Sequence, residues 1–113
     1  MSTEALEKML AKGMDNALLR FGLGKGYLDA AEFARAAEHL QRCIEFDAQY
    51  SAAWKLLGQA LNKQGLQDQA RTAWIQGLQA AEQKGDKQAG KEIAVFLKRL
   101  DKLAQKLPTS RSG

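Results

Sequence analysis

The sequence contains very little cysteine, proline, histidine or aromatic character. Its 113 residues include one Cys, one Pro and one His, and 7% of them are aromatic. A single Cys excludes an intramolecular disulfide framework and a four-cysteine zinc site, so nothing in the sequence requires an oxidising compartment. The strong helix formers Ala, Leu, Lys, Glu and Gln dominate instead. The composition therefore predicts one all-α domain.

Long apolar runs are also absent. No stretch approaches the roughly 20 apolar residues that a membrane-spanning helix needs. Near the N-terminus, Glu4 and Glu7 stand where a secretory signal would be basic and then apolar. We therefore expect a protein that is neither secreted nor inserted in a membrane, and the expected location is cytoplasmic.

The main regularity in the chain is a repeat of 34 residues. Residues of the same size class coincide in its two copies: Leu23-Gly24 with Leu57-Gly58, Tyr27 with Leu61, Ala36 with Ala70, Leu40 with Trp74, Cys43 with Gly77, and Ile44 with Leu78. Within each copy the apolar residues recur at helical spacing in two blocks. Each unit is therefore predicted to be a helix, a tight turn and a second helix.

Turn and capping residues set the predicted helix ends. We predict helices near 17–29, 32–46, 51–63, 67–83 and 87–106, and a further one over about 3–12 that begins after Ser2 or Thr3. Gly65 suits a left-handed helix end, and Ala31 occupies the matching position in the first unit. Gly85-Asp86 is expected to end one helix and cap the next, and Asp47 or Ser51 to cap the helix that enters the second unit.

The second unit carries the residues of a known motif. The tetratricopeptide repeat reads W-x2-L-G-x2-Y, then A-x3-F, then P. Residues 51–84 supply Trp54, Leu57, Gly58, Leu61 in the Tyr place, Ala70, and Trp74 in the Phe place, while residues 17–50 supply Leu23, Gly24, Tyr27, Phe33, Ala36 and Leu40. The chain thus resembles the tetratricopeptide-repeat family over 68 of its 113 residues. It departs from the motif at the loop proline, which Ala48 and Glu82 replace.

This resemblance implies an all-α superhelix. The expected organisation is an N-terminal helix or arm over 1–16, repeats over 17–50 and 51–84, a C-terminal capping helix over 85–107 and a disordered tail over 108–113. Two repeats bury too little surface to be stable alone, so helices at both ends should cover the stack. The predicted capping helix has one apolar stripe, made of Ile93, Phe96, Leu97, Leu100, Leu103 and Leu107.

Two small groups of residues invite a chemical interpretation. Gly22, Gly24 and Gly26 lack the spacing of a phosphate-binding loop and follow no predicted strand, so close helix packing is the favoured interpretation. His39 and Cys43 are four residues apart, but two ligands make no closed metal site, and a buried inert thiol beside a surface His is favoured. No nucleophile lies beside a recognisable base. We therefore expect no catalysis, no cofactor and no metal.

The resemblance also implies a binding surface. In this family the first helices of successive units line a concave groove, which here would present Phe21, Lys25, Leu28, Lys55, Gln59, Asn62 and Lys63, with Leu18, Asp29 and Ala52 beside them. Some members hold a partner's C-terminal carboxylate with a Lys and an Asn four residues apart. Lys55 and Gln59 resemble part of that pair. Phe21 and Leu28 are either apolar anchors for a ligand or packing partners of the helix over 3–12.

The positive charge is concentrated in the last third of the chain. From residue 82 onward the sequence has eight basic and four acidic residues, and this difference accounts for the whole net charge of +4. The leading hypothesis is an adaptor that binds a peptide segment, partly acidic, in the groove. The alternatives are a structural subunit or homodimer that uses the stripe at Ile93, Phe96, Leu97 and Leu100, or a nucleic-acid accessory protein that uses Lys98, Arg99, Lys102 and Lys106. Nucleic acid is the weaker expectation, because no aromatic residue interrupts that basic face.

Overall fold

Six α-helices make up the computed structural model, which describes residues 2–106. They are α1 (Thr3–Ala11), α2 (Ala17–Asp29), α3 (Phe33–Phe46), α4 (Ser51–Lys63), α5 (Gln67–Lys84) and α6 (Lys87–Lys106). The predicted all-α class is confirmed, and each predicted helix is present with its ends within a residue of the prediction. The predicted tail over 108–113 and Leu107 of the apolar stripe lie outside the described residues.

The helix ends follow the sequence signals with one exception. Gly65 and Gly85 have φ of +81° and +75°, the left-handed conformation that ends a helix, and the matching Ala31 has φ of +62°. Asp86 caps α6 by accepting a hydrogen bond from the Ala89 amide at 3.1 Å. The prediction that Asp47 or Ser51 caps α4 is wrong. The carboxylate of Asp47 instead accepts a hydrogen bond from the amide of Gln49, and the N-cap residue is Tyr50, whose side chain makes no capping hydrogen bond.

Two antiparallel helix pairs, α2/α3 and α4/α5, form the centre of a stack that measures 54 × 30 × 19 Å. Leu23, Leu40 and Cys43 are fully buried between α2 and α3. Two glycines let the helices of each pair approach closely, because a Cβ at Gly24 would collide with the side chain of Leu40 and one at Gly58 with the indole of Trp74. The small-residue positions of the repeat therefore serve helix packing.

Helix α1 covers the N-terminal end of the stack. Its Leu6 is buried against α2, where a Cβ at Gly22 would lie 2.9 Å from the Leu6 side chain and one at Gly26 would collide with Thr3. The hydroxyl of Tyr27 donates a hydrogen bond to the carboxylate of Glu7 in α1. All three glycines that resembled a phosphate loop thus lie inside a helix and face neighbouring helices, which confirms the packing interpretation.

Helix α6 covers the other end. Ile93 and Leu100 are buried against Ala70 and Trp74 of α5, so these two residues of the apolar stripe pack inside the chain, whereas Leu103 is 47% exposed. Three polar links tie α6 to its neighbours: Lys55 to Glu92 at 2.6 Å, the Ser51 hydroxyl to Asp86 at 2.7 Å, and Arg71 to Asp101. The opposite face of α6 carries exposed basic residues, Lys87, Lys91, Lys98 and Lys102. This arrangement of apolar inner face and charged outer face is that of a capping helix.

Candidate functional site

A cavity of about 630 Å³ opens on the side of the stack where α2, α4 and α6 lie next to one another. Its apolar lining, which we call the floor, consists of Leu28, Phe33, Leu56, Trp74, Phe96, Leu100 and Leu103. Its polar lining, which we call the rim, consists of Lys25, Asp29, Gln59, Asn62, Lys63 and Arg99. We refer to this cavity as the groove.

Helical spacing explains why these side chains meet. Lys25, Leu28 and Asp29 are separated by three and four residues on α2, so they share one face of that helix. The same spacing joins Leu56, Gln59 and Lys63 on α4, and Phe96, Arg99 and Leu103 on α6. The groove is therefore built mainly from one face of each of three neighbouring helices, and Phe33 of α3 and Trp74 of α5 complete its floor.

The rim of the groove is positively charged. Its cations are Lys25, Lys63 and Arg99, and its one anion is Asp29. Lys25 lies 3.4 Å from the carboxylate of Asp29 in an exposed pair, which contributes little to stability. Within residues 2–106, Lys63 and Arg99 form no ion pair, and both side chains are exposed. The rim thus presents two cations to whatever enters the groove.

Five of the seven residues predicted for the site line the groove: Lys25, Leu28, Gln59, Asn62 and Lys63. Phe21 does not line it. Its ring stacks on Tyr50 with 4.9 Å between the ring centroids, and it borders a separate hollow beside Leu6 and Met9 of α1. The contact that the structure gives for Phe21 is thus with the N-cap residue of α4, and its role as a packing partner of the helix over 3–12 stays a prediction.

Lys55 also lies outside the groove. Its ammonium group is 2.6 Å from the carboxylate of Glu92, and its side chain is only 23% exposed. The hydrogen bonds from Lys55 and then from Gln88 hold the pKa of the Glu92 carboxyl below its usual value, because they stabilise the ionised form. Lys55 therefore joins α4 to α6, and its replacement would disturb the stack as well as the surface.

The α6 side of the groove was not among the predicted site residues. From the sequence, Phe96, Leu100 and Leu103 were predicted to belong to the apolar stripe of the capping helix, and Arg99 to its basic face. A signal was nevertheless present, because α6 begins 36 residues after α4, whereas α4 begins 34 residues after α2. With this spacing Arg99 corresponds to Lys63. The spacing grows by two residues because α5 is four residues longer than α3, while the loop after α5 (85–86) is two residues shorter than the loop after α3 (47–50).

His39 is not on the surface, which corrects the prediction. Its side chain is 12% exposed and stacks on the ring of Tyr27, with 5.5 Å between centroids. Nδ1 lies 3.1 Å from a guanidinium nitrogen of Arg20, which also binds Asp15 at 2.7 Å. Burial, and then the charge of Arg20, lowers the pKa of His39. This side chain acts as a packing and hydrogen-bonding partner between α2 and α3.

Cys43 is fully buried, and burial raises the pKa of its thiol to about 11. A thiol with so high a pKa is almost entirely protonated at neutral pH and is therefore a poor nucleophile and a poor metal ligand. In the described part of the chain, no three side chains of His, Cys, Asp or Glu come together as metal ligands.

None of the helices within residues 2–106 is both long and apolar enough to cross a membrane.

Comparison with known proteins places the chain among repeat proteins. No protein-family model matches it. The TPR repeat-containing protein PA0015 of Pseudomonas aeruginosa is 66% identical over 102 residues, which cover 90% of this chain and 97% of that protein. The solution structure of protein BPP2914 from Bordetella parapertussis superposes with a TM-score of 0.78 at 52% identity, over 88% of this chain and 87% of that one.

The crystal structure of MamA superposes with a TM-score of 0.65 at 23% identity and covers 92% of this chain and 67% of that one, a likeness of fold alone. The 34-residue motif, the stacked helix pairs and the high identity to a named repeat protein agree with one another. This chain therefore belongs to the tetratricopeptide-repeat family, whose members generally serve as non-catalytic scaffolds that bind other proteins.

Proposed function

We propose that this protein is a non-catalytic adaptor that binds a peptide segment of a partner protein in the groove between α2, α4 and α6. The observation that carries the proposal is an open cavity of about 630 Å³ with an apolar floor and a rim of three cations and one anion. Sites that bind other molecules are typically concave, mostly apolar, and fitted with a few polar groups that set orientation.

The groove has chemistry suited to an extended, partly acidic peptide. The apolar floor offers contacts for one or two side chains, and aromatic residues such as Phe33 and Phe96 supply large contact areas. The amides of Gln59 and Asn62 can donate to and accept from a peptide backbone. Lys63 and Arg99 favour carboxylates, and Arg99 can bind one with two parallel hydrogen bonds.

The two alternatives have less support. A homodimer through the α6 stripe would need Ile93 and Leu100, which are already buried within the chain. A nucleic-acid surface on α6 would need its basic residues on one face, but Arg99 lines the groove, whereas Lys98 and Lys102 do not.

The test is affinity capture from a nuclease-treated lysate of the native cell with two charge-reversed variants. One carries Lys63→Glu and Arg99→Glu in the groove, and the other carries Lys98→Glu and Lys102→Glu on the outer part of α6. Each lowers the net charge from +4 to 0, so the two baits differ only in where the charge is removed. Lys55 is left intact because it pairs with Glu92.

We expect a partner that is captured by the wild type and by the outer variant but lost with the groove variant. Circular dichroism should give both variants melting temperatures close to that of the wild type, because all four side chains are exposed. Loss of the partner with the outer variant alone would contradict the groove assignment and favour the basic face of α6.

A further inference from the structure

A second hollow, of about 580 Å³, lies between α1 and α2. Its lining is mainly apolar and includes Leu6 and Met9 from α1, Met14 from the loop, and Leu18 and Phe21 from α2. The proposed function does not use this hollow, and we refer to it as the apolar hollow.

The apolar hollow exposes more hydrophobic surface than packing requires. Leu18 is 72% exposed and Met14 is 48% exposed, although both are large apolar residues. A single exposed Leu needs no explanation, but several apolar side chains around one concavity are typical of an interaction site.

The polar groups near the apolar hollow already have partners. The side chain of Asn16 accepts a hydrogen bond from the Leu19 amide at 2.8 Å as the cap of α2. Asp15, which follows Met14, is bound to Arg20 by two hydrogen bonds of 2.7 and 2.9 Å. The two charged residues of the lining, Lys25 and Asp29, pair with each other at 3.4 Å. The rest of the lining is mainly apolar, so the hollow suits an apolar side chain.

The apolar hollow is continuous with the groove. Lys25 and Asp29 line both cavities, so a chain that lies in the groove can reach the hollow by passing this pair. Gly22 and Gly26 also line the hollow, and they let α1 lie close against this stretch of α2.

We propose that the apolar hollow is a second subsite, which binds a large apolar side chain of the same peptide whose acidic residue is bound by Lys63 and Arg99. This inference rests on the proposed function. Leu18 and Lys25 are seven residues apart on α2, or about 10 Å at the helical rise. An extended peptide covers that distance in about three residues. Three residues thus bring the peptide from the hollow to Lys25, and because Lys63 and Arg99 lie on α4 and α6 beyond Lys25, the recognised segment has an apolar residue more than three positions from the acidic one.

The kind of apolar residue follows from the lining. Met9 and Met14 are unbranched and flexible, so the apolar hollow can adapt to Leu, Met or Phe. A charged residue is disfavoured, because entry would remove part of its hydration and the two charged groups of the lining, Lys25 and Asp29, already pair with each other.

The test is selection from a phage-displayed library of random twelve-residue peptides. Wild type is compared with Leu18→Ser, with the groove variant Lys63→Glu/Arg99→Glu, and with Ile75→Ser as a matched control. Ile75 is an exposed apolar residue of α5 that lines neither cavity, so its replacement removes similar surface elsewhere. One enriched peptide is then labelled, and its affinity for each variant is measured by fluorescence anisotropy.

We expect the wild type to enrich peptides that combine Asp or Glu with Leu, Met or Phe at the stated spacing. Leu18→Ser should lose the apolar preference, keep the acidic one and weaken the labelled peptide about tenfold, since burying one aliphatic side chain is worth roughly that factor. Ile75→Ser should change the affinity by less than about twofold.

The outcomes separate the two proposals. Enrichment of acidic peptides without an apolar preference would overturn the second subsite and leave the proposed function standing. Enrichment that is unaffected by Lys63→Glu/Arg99→Glu would overturn the proposed function. Sedimentation is measured alongside, and if the wild type self-associates while Leu18→Ser stays monomeric, a second copy covers the apolar hollow and the subsite proposal is wrong.

Discussion

At the residue scale, the turn between α2 and α3 contains a strained backbone conformation. Among the described residues, Ala31 is the one residue other than glycine with a positive φ. Ala31 has φ of +62°, whereas the equivalent turn of the second repeat has Gly65 at +81°. An L-residue in this conformation costs about 1 kcal/mol, because its Cβ crowds the following carbonyl.

We predict that Ala31→Gly raises the free energy of unfolding by about 0.5 kcal/mol. Relief of the strain outweighs the larger conformational entropy that glycine gives the unfolded chain. Ala30 is the control, because its φ of −86° is comfortable for alanine. Ala30→Gly should therefore lower the stability by about 0.5–1 kcal/mol. Urea unfolding of the two variants tests this, and equal effects of the two glycines would contradict it.

We expect His39 to make the stability of the protein depend on pH. Because burial lowers its pKa in the folded chain below the ordinary value of 6.5, the unfolded chain binds the proton more readily. The contribution of neutral His39 is therefore fully present above about pH 6.5 and is lost as the pH falls from there to the lowered pKa. Protonation also removes the acceptor at Nδ1 for Arg20.

We predict that the wild type loses stability between pH 7.5 and pH 5.5, and that His39→Gln loses less over the same interval. His39 is the one histidine of the sequence, so the difference between the two proteins isolates its titration. Urea unfolding at the two pH values measures it. An unchanged pH dependence in His39→Gln would show that other groups cause the loss.

At the element scale, the helix pairs depend on glycines at specific contacts. A Cβ at Gly58 would collide with the indole of Trp74, which is 2% exposed and whose ring nitrogen donates to the Lys55 carbonyl at 3.0 Å. Gly90 in α6 differs, since the nearest atom to its added Cβ, in Ala81, is 3.7 Å away. The first glycine is required by packing and the second is not.

We predict that Gly58→Ala lowers the free energy of unfolding by about 2 kcal/mol, because the buried Trp74 cannot move without losing its contacts. Gly90→Ala should raise it by about 0.5–1 kcal/mol, because alanine is the better helix former. The same substitution is thus expected to have opposite signs on α4 and α6. Denaturant unfolding of both proteins measures this, and a destabilised Gly90→Ala would contradict the packing described for α6.

The elements themselves could be predicted from the sequence because their signals are local. Apolar spacing, Gly65 and Gly85 determine where helices run and end, and the structure confirms these positions. The N-cap of α4 could not be predicted from local sequence. The hydroxyl of Ser51 donates its hydrogen bond to Asp86, which is 35 residues away, and therefore does not cap α4. Contacts between helices of different repeats join residues far apart in the chain, so they leave no pattern in the local sequence.

The site was predictable in part for the same reason. The α2 and α4 residues of the groove were implied by the resemblance to the tetratricopeptide-repeat family, which pointed to Lys25, Leu28, Gln59, Asn62 and Lys63. Arg99 and Phe96 could not be found with that period, because the longer α5 shifts α6 by two residues. Lys55 occupies the position of the second repeat that corresponds to Phe21 in the first. Its ion pair with Glu92 depends on α6, whose offset the 34-residue period does not give.

At the scale of the whole molecule, the protein is a short stack in which each helix contacts mainly its neighbours. Two helix pairs supply the repeated core, and α1 and α6 cover its ends. Stacks of this kind place equivalent helices side by side, so they form extended concave surfaces without any further insertion. The groove and the apolar hollow lie on such a surface and share Lys25 and Asp29.

The measurement that tests the central claim most directly is a titration of the isotopically labelled protein with an acidic peptide from the library, followed by ¹H–¹⁵N correlation spectra. The account predicts that the amides of 25–29, 56–63 and 96–103 shift on binding, while those of exposed residues of α3 and α5 that do not line the groove, such as Arg42 and Gln76, stay in place. Shifts that cluster on α3 and α5 instead would contradict the account, because they would put the binding surface on the opposite side of the stack.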